Sequence, residues 1–251
     1  MKNEIDVMTY SSESEVKERN KILELFKNSP IPHDQILSNM GLYLNSKDLS
    51  RILFMDYIYK KIIDVQGVVF DFGTRWGNNA ALFSSLRGIY EPFNRHRKVV
   101  AFDSFCGFPE VTKQDGYSDL IKTGNVSVTN EYEKYLTKVL DCKEQDNPLA
   151  HIQKFEVIKG DAVIEIEKYL KKHPHTIVSL AYFDFDIYKP TKHCLEIIAD
   201  RVTKGTVLAF DELNDPDSPG ETIALMETLG LRNVRLKRHR YTSRVSYFVV
   251  E

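Results

Sequence analysis

Asp71, Asp103 and Asp161 end or closely follow short apolar runs, and Asp184, Asp186, Asp211 and Glu212 follow two more. Acids in such places do two kinds of chemistry. At the tip of a strand a carboxylate accepts hydrogen bonds from ligand hydroxyls or faces a ligand amine. Several together offer hard oxygen ligands to a magnesium-like cation, or take a proton from a reacting hydroxyl. The first run continues as GVVFDFGTRWGNNAALF, an apolar stretch, an acid, a glycine turn and the start of a helix. The dinucleotide fingerprint G-x-G-x-x-G needs glycines where Arg75 and Asn78 stand, which argues against NAD or FAD. The pattern acid-x-Gly-x-Gly-x-Gly, whose acid faces the amino group of an amino-acid ligand, is matched at Asp71, Gly73 and Gly77 and broken at Arg75. In VVAFDSF, Asp103 stands where a ribose needs an acceptor for its two hydroxyls, each charge-assisted bond being worth about 1.5–3 kcal/mol. VIKGDA then sets Asp161 and Ala162 at the expected adenine edge. A helix cap would account for Asp103 or Asp161 singly. The three acids together predict a nucleoside joined to an amino acid, S-adenosylmethionine.

The elements that must position these residues follow from rhythm. Strand-like runs at Val68–Phe72, Val99–Phe102, Phe155–Ile158, Ile177–Phe183 and Thr206–Phe210 alternate with helical patterns at Asn78–Tyr90, Asp161–Lys171, Thr191–Val202 and Glu221–Leu229. Such alternation predicts a parallel sheet covered on both faces. Two final strands, near Val234–Arg238 and Val245–Val250, are too close for a helical crossover and must pair antiparallel. Ahead of the sheet, Leu49, Ile52, Met55, Tyr59 and Ile62 recur at threes and fours and predict a helix over Lys47–Ile63. Residues 1 to about 20 are rich in Ser, Glu, Lys and Asn and read as a loose arm. The expected organisation is an arm and helical cap over 1–63 and a sheet domain over 64–251. Glu110–Leu149 is an insertion, with a short amphipathic helix at Glu131–Leu140, long enough to be a lid. Its Tyr117, Tyr132 and Tyr135 would stack on sugar or base while Lys113 and Lys122 meet phosphate.

The chain has 251 residues, 42% of them hydrophobic, enough to bury one large core. A net charge of -2 argues against nucleic-acid binding through phosphate neutralisation. No apolar window approaches a membrane span, so the expected location is the cytoplasm. Cys106, Cys142 and Cys194 are odd in number and form no C-x-x-C pair, which leaves them as reduced thiols.

VVFDFGTRWGNNAALFSSLRGIYEP, AFDSFCGFPE and AYFDFDIYKPTKHCLEIIADRVTKGTVLAFDEL resemble the macrocin-type sugar O-methyltransferases of antibiotic pathways, which are class I S-adenosylmethionine enzymes. The likeness to deoxyhexose-methylating members extends to LSRILFMDYIYKKI and SPGE. The resemblance implies a Rossmann-like, seven-stranded, mostly parallel α/β sheet ending in an antiparallel strand, a divalent metal such as Mg2+ near the acceptor, and a homo-oligomer. By the same resemblance Asp71 and Gly73 line the methionine end, with Thr74 and Asn78 in the same turn. Asp103, with the Ser104 and Phe105 backbone, holds ribose and adenine. Asp184 is the catalytic, base-like acid beside cofactor and metal, and Asp211 and Glu212 complete the metal set. Glu212 stands where the family usually has an aspartate. The implied acceptor is a deoxysugar hydroxyl, carried on a nucleotide.

Asp184 and Asp186 share a face only if the strand stays regular there, and Asp211 and Glu212 lie 27 and 28 positions after Asp184. Methyl transfer asks the protein mainly for alignment and removal of a proton. The acids fit that task, and His239 is a second candidate base, while His173 and His175 flank Pro174 in a loop. Two other readings of these residues stay open. Asp184-Phe185-Asp186 is also the D-x-D pattern of metal-dependent glycosyltransferases, and a methyltransferase fold can serve as a non-catalytic scaffold.

Overall fold

The apolar runs do become buried strands, because their β-branched and aromatic residues need cover on both faces. The computed structural model describes residues 11–251; residues 1–10 of the expected arm lie outside the described residues. Strands β1 (Val68–Phe72), β2 (Val99–Asp103), β3 (Phe155–Lys159), β4 (Val178–Phe183) and β5 (Val202–Phe210) are parallel, and β6 (Lys237–Arg238) and β7 (Ser246–Val249) finish the chain. The sheet order is β3-β2-β1-β4-β5-β7-β6, with β7 antiparallel to both neighbours. β5 starts four residues earlier than its apolar run, at Val202, which pairs with Val178 before a register shift.

Strand alternation builds two cores. Phe70, Phe72, Phe102, Phe183 and Phe210 pack on one face beneath α5 (Ala162–Lys172), α6 (Tyr188–Ile198) and α7 (Gly220–Thr228). Val69, Ala101, Leu180, Tyr182 and Ala209 pack on the other beneath α2 (Ser46–Lys60), α3 (Asn78–Tyr90) and α4 (Tyr132–Gln145). With a period of two, Asp71 and the residues next in step after Ala101, Tyr182 and Ala209 fall on the α2–α4 side. Those residues are Asp103, Asp184 and Asp211.

The loose arm is corrected by a helix. α1 (Glu13–Lys27) starts at a capping box in which Ser12 and Glu15 each bond the other's backbone N–H. None of its residues is buried. Its polarity, read as disorder, belongs to a helix standing off its own domain.

The insertion divides in two. Its front half holds a short turn of helix at Lys113–Asp115, whose Asp115 is buried and accepts the Tyr188 N–H at 2.5 Å. Its rear half is α4, which packs into the sheet's cover: Leu136 and Leu140 join the core, and Glu144 meets Arg87 at 2.7 Å and Lys154 at 2.5 Å, all almost fully buried. Among the described residues no helix is long and apolar enough to cross a membrane. The three cysteines are unpaired.

Candidate active site

The tips of four strands form one row. The ladder partners Phe102, Phe72, Phe183 and Phe210 run across β2, β1, β4 and β5, so the next residues, Asp103, Gly73, Asp184 and Asp211, come level. Backbone bonds carry the ladder one step on: Gly73 N–H to Phe102 O at 2.9 Å, Asp184 N–H to Phe72 O at 2.9 Å and Asp211 N–H to Phe183 O at 3.0 Å. Gly73 has φ +79°, and a Cβ there would lie 2.0 Å from the Asp184 carbonyl oxygen, so only glycine lets the two tips approach. The row opens on a cavity of about 1260 Å³ at the point where strand order reverses between β1 and β4.

Most of the expected cofactor residues border this cavity: Gly73, Thr74, Asn78, Asp103, Ser104, Asp161, Ala162 and Asp184. Asp103 accepts the Arg75 N–H at 2.7 Å on one oxygen and the Phe105 N–H at 2.6 Å on the other. It thereby ties the β1 and β2 turns together. Burial pushes its carboxyl up, against the pull of those two amides. Asp161 caps α5 through the Val163 N–H at 3.0 Å.

Two expected residues sit behind the wall instead. Asp71 is fully buried under the turn because it lies two residues short of the tip row, level with Ala101 and Tyr182; Thr74 Oγ1 donates to it at 2.5 Å, and its Oδ1 has no partner. Burial raises its carboxyl to about 6. Phe105 spends its N–H on Asp103 and packs its ring into the α2–α4 core. His239 is no candidate base here, since it lies buried against Phe54 and Tyr57 at ring distances of 4.9 and 5.3 Å. His173 and His175 line a small cleft with Lys98, away from the row.

The aromatic and basic side chains expected of the lid do not border the cavity. Tyr117 is 93% exposed, Lys122 pairs with Asp119 at 2.7 Å, and Tyr132 stands against Trp76 with its hydroxyl on the Trp76 carbonyl. From this segment the cavity is bordered by Leu120 and Val126. The opposite wall comes from the N-terminal helices, with Glu15, Arg19, Lys47 and Arg51.

The acids gather differently from the expected set. Asp184, Asp186 and Glu212 each bring one ligand atom to within 4.8 Å of the others. Asp186 joins because the chain leaves the strand after Phe183 and takes φ +60° at Asp186. Asp211 is turned aside: Tyr182 donates its hydroxyl to it, and Arg51 Nη1 lies 3.1 Å away. Burial and neighbouring acids push Asp184 and Glu212 well above the ordinary carboxylate range. Burial also acts on Asp211, but Arg51 and its hydrogen bonds hold it low. Glu221, at the start of α7, is buried and accepts the N–H groups of Phe185, Asp186 and Glu212, fixing both loops. Sequence reasoning passed over Arg51, Arg244 and Glu221 as site residues, although the quoted LSRILFMDYIYKKI contains Arg51 and the quoted SPGE contains Glu221.

Donors of this kind suit a divalent ion. All are hard oxygens, and Glu212 Oε2 is buried without a hydrogen-bond partner.

A reversed seventh strand beside a parallel sheet, with a glycine turn and acidic tips opening on one cavity, defines a class I methyltransferase. A crystal structure of CalS11, described as calicheamicin methyltransferase, matches with TM-score 0.94 and 36% identity over 98% of this chain and 96% of that one. An apo structure of CalS11, described as TDP-rhamnose 3'-O-methyltransferase, an enzyme in calicheamicin biosynthesis, matches with TM-score 0.86 and 34% identity over 96% of each chain. The O-methyltransferase NovP shares the fold, with TM-score 0.56 and 16% identity over 80% of this chain and 79% of that one. No family model and no curated protein sequence matches. The chain belongs to the macrocin-type sugar O-methyltransferase family and is an S-adenosylmethionine-dependent O-methyltransferase. The glycosyltransferase reading of Asp184-Phe185-Asp186 is thereby overturned.

Proposed function

We propose that this enzyme methylates a hydroxyl of a deoxysugar carried on a nucleotide, with a divalent ion beside the acceptor. The observation that carries the reading is the acidic row opening on a cavity of about 1260 Å³, which exceeds the roughly 300–1,000 Å³ of a pocket for one drug-sized ligand. Room remains for an acceptor next to the cofactor. The activity of CalS11 on TDP-rhamnose supports the acceptor class.

In this reading Asp103 accepts the ribose hydroxyls, Ala162 and Phe108 flank the adenine, and Gly73, Thr74 and Asn78 contour the methionine end. Asp71 acts from beneath, holding the turn through Thr74. S-adenosylmethionine supplies a methyl group already activated by its sulfonium. A divalent ion held by Asp184, Asp186 and Glu212 would supply charge that lowers the pKa of a nearby hydroxyl. Asp184 takes the acceptor's proton on Oδ1, since Arg51 and Asn79 occupy its Oδ2. The exposed Val16, Ile22, Leu23 and Leu25 of α1 support a homo-oligomer that covers them.

A mass-spectrometric screen of nucleotide-linked deoxysugars with S-adenosylmethionine tests the reading. A gain of one methyl group on a sugar hydroxyl is expected. Methylation confined to acceptors without a sugar would overturn it.

A further inference from the structure

Two guanidinium groups grip the acid cluster, and neither comes from the strand-tip row. Arg51 reaches down from α2, with Nη2 at 2.7 Å from Asp184 Oδ2 and Nη1 at 3.1 Å from Asp211 Oδ1; its Nε donates to Asn79 at 3.0 Å. Arg244 arrives from the β6–β7 connection, with Nη2 at 3.1 Å from Glu212 Oε1 and Nη1 at 3.1 Å from Asp215. Arg51 therefore bridges two acids, and Arg244, whose Nη2 also lies 3.9 Å from Asp211, reaches three. In Glu212 one oxygen is taken and the other, Oε2, is left buried and unpartnered. In Asp184 both donors, Arg51 and Asn79, share Oδ2.

Arginine suits this task because its planar fork bridges carboxylates while keeping its charge at any working pH. Acids crowded in a buried site repel one another, and without compensating charge they would protonate or move apart. The two arginines supply that charge from fixed positions. Arg51 and the Tyr182 hydroxyl together occupy Asp211 Oδ1.

We propose that Arg51 and Arg244 are built-in counter-cations of the divalent-ion seat, assembling its acids in the absence of an ion and opposing the ion's binding by like charge. The inference rests on the proposed divalent seat. It makes both arginines positioning residues that tune the site: the ion binds weakly to the protein alone, and acceptor oxygens complete its coordination. A fixed positive charge one carboxylate away weakens a divalent ion on the order of tenfold even when well screened by solvent.

The test is Mn2+ binding to the whole protein, read from the electron paramagnetic resonance signal of the free ion, without cofactor or acceptor. Arg244→Gln and Arg51→Gln should each tighten Mn2+ about tenfold. Arg244→Lys and Arg51→Lys, which keep the charge, should stay near the parental affinity, a rescue that a merely structural role would not give. S-adenosylhomocysteine affinity and a thermal melt establish that each variant is folded, and Arg244, 45% exposed on a connection, tolerates replacement better than Arg51. Unchanged or weaker Mn2+ binding in the folded glutamine variants, with a parental site present, overturns the inference and leaves the seat standing. No saturable Mn2+ site in any of the proteins overturns the seat and the inference together.

Discussion

In the proposed function Asp103 is the ribose acceptor at the tip of β2, and replacing it by alanine removes that acceptor. Each carboxylate oxygen already takes one backbone N–H, from Arg75 at 2.7 Å and Phe105 at 2.6 Å, and retains a lone pair for a ribose hydroxyl. Two charge-assisted bonds to the ligand set a ceiling of about 3–6 kcal/mol. Water reaching the emptied position recovers part of this. Against that gain, Arg75 (φ 46°) and Phe105 (φ 58°) are both left-handed and are held so by the same carboxylate. Their turns relax in the variant and must be re-formed when the cofactor binds. The expected net loss is about 2–4 kcal/mol, a roughly 30- to 1,000-fold rise in Kd. Isothermal calorimetry with S-adenosylhomocysteine reads it directly, with a thermal melt to establish folding. The same titration with a ligand lacking both ribose hydroxyls should show most of the penalty gone, because the two deletions remove one interaction. A Kd close to the parental value in a folded variant, or an undiminished penalty with the deoxygenated ligand, would refute the assignment.

Exhaustive chelation should suppress methyl transfer and leave S-adenosylhomocysteine affinity intact, with Mg2+ restoring turnover; full activity in the metal-stripped enzyme would remove the ion from the reaction. Glu144→Ala leaves the buried Arg87 and Lys154 uncompensated and should cost about 3–5 kcal/mol in urea unfolding. A loss under about 1 kcal/mol would mean that α4 is a peripheral flap after all. Asp71 has its folded pKa raised from 3.8 to about 6, so the folded state favours its acid form, and this stabilising term is lost as pH rises through that range. Asp71→Asn keeps an acceptor for Thr74 and should therefore be more stable than the parent to urea at pH 7.5, by at most about 3 kcal/mol less the cost of its unpartnered amide. That advantage should fade toward pH 4, and an equal difference at both pH values would contradict the sign of the shift.

The alternation of strands and helices was legible because a parallel strand buried on both faces must be apolar throughout, and that pattern is local. β1 and α3 begin and end where their rhythm does. The acids at the strand tips were legible for the same reason, since each stands where an apolar run stops. The start of α1 was also written in the chain, as the Ser12-x-x-Glu15 box, and was masked by its polar composition. Which acids act together was not legible. Asp184 and Asp211 stand level in the ladder, yet Asp211 Oδ1 is taken up by Tyr182 and by Arg51, which lies 133 residues before Asp184. Asp186 enters the group through a left-handed backbone that no spacing rule announces. Asp71 lies two residues short of the tips and is covered by its own turn, and half of the insertion becomes core because Glu144 finds Arg87 and Lys154. Pattern along the chain records which faces must be dry. The partner of a buried charge depends on the relative placement of distant elements, and only the packed structure contains that.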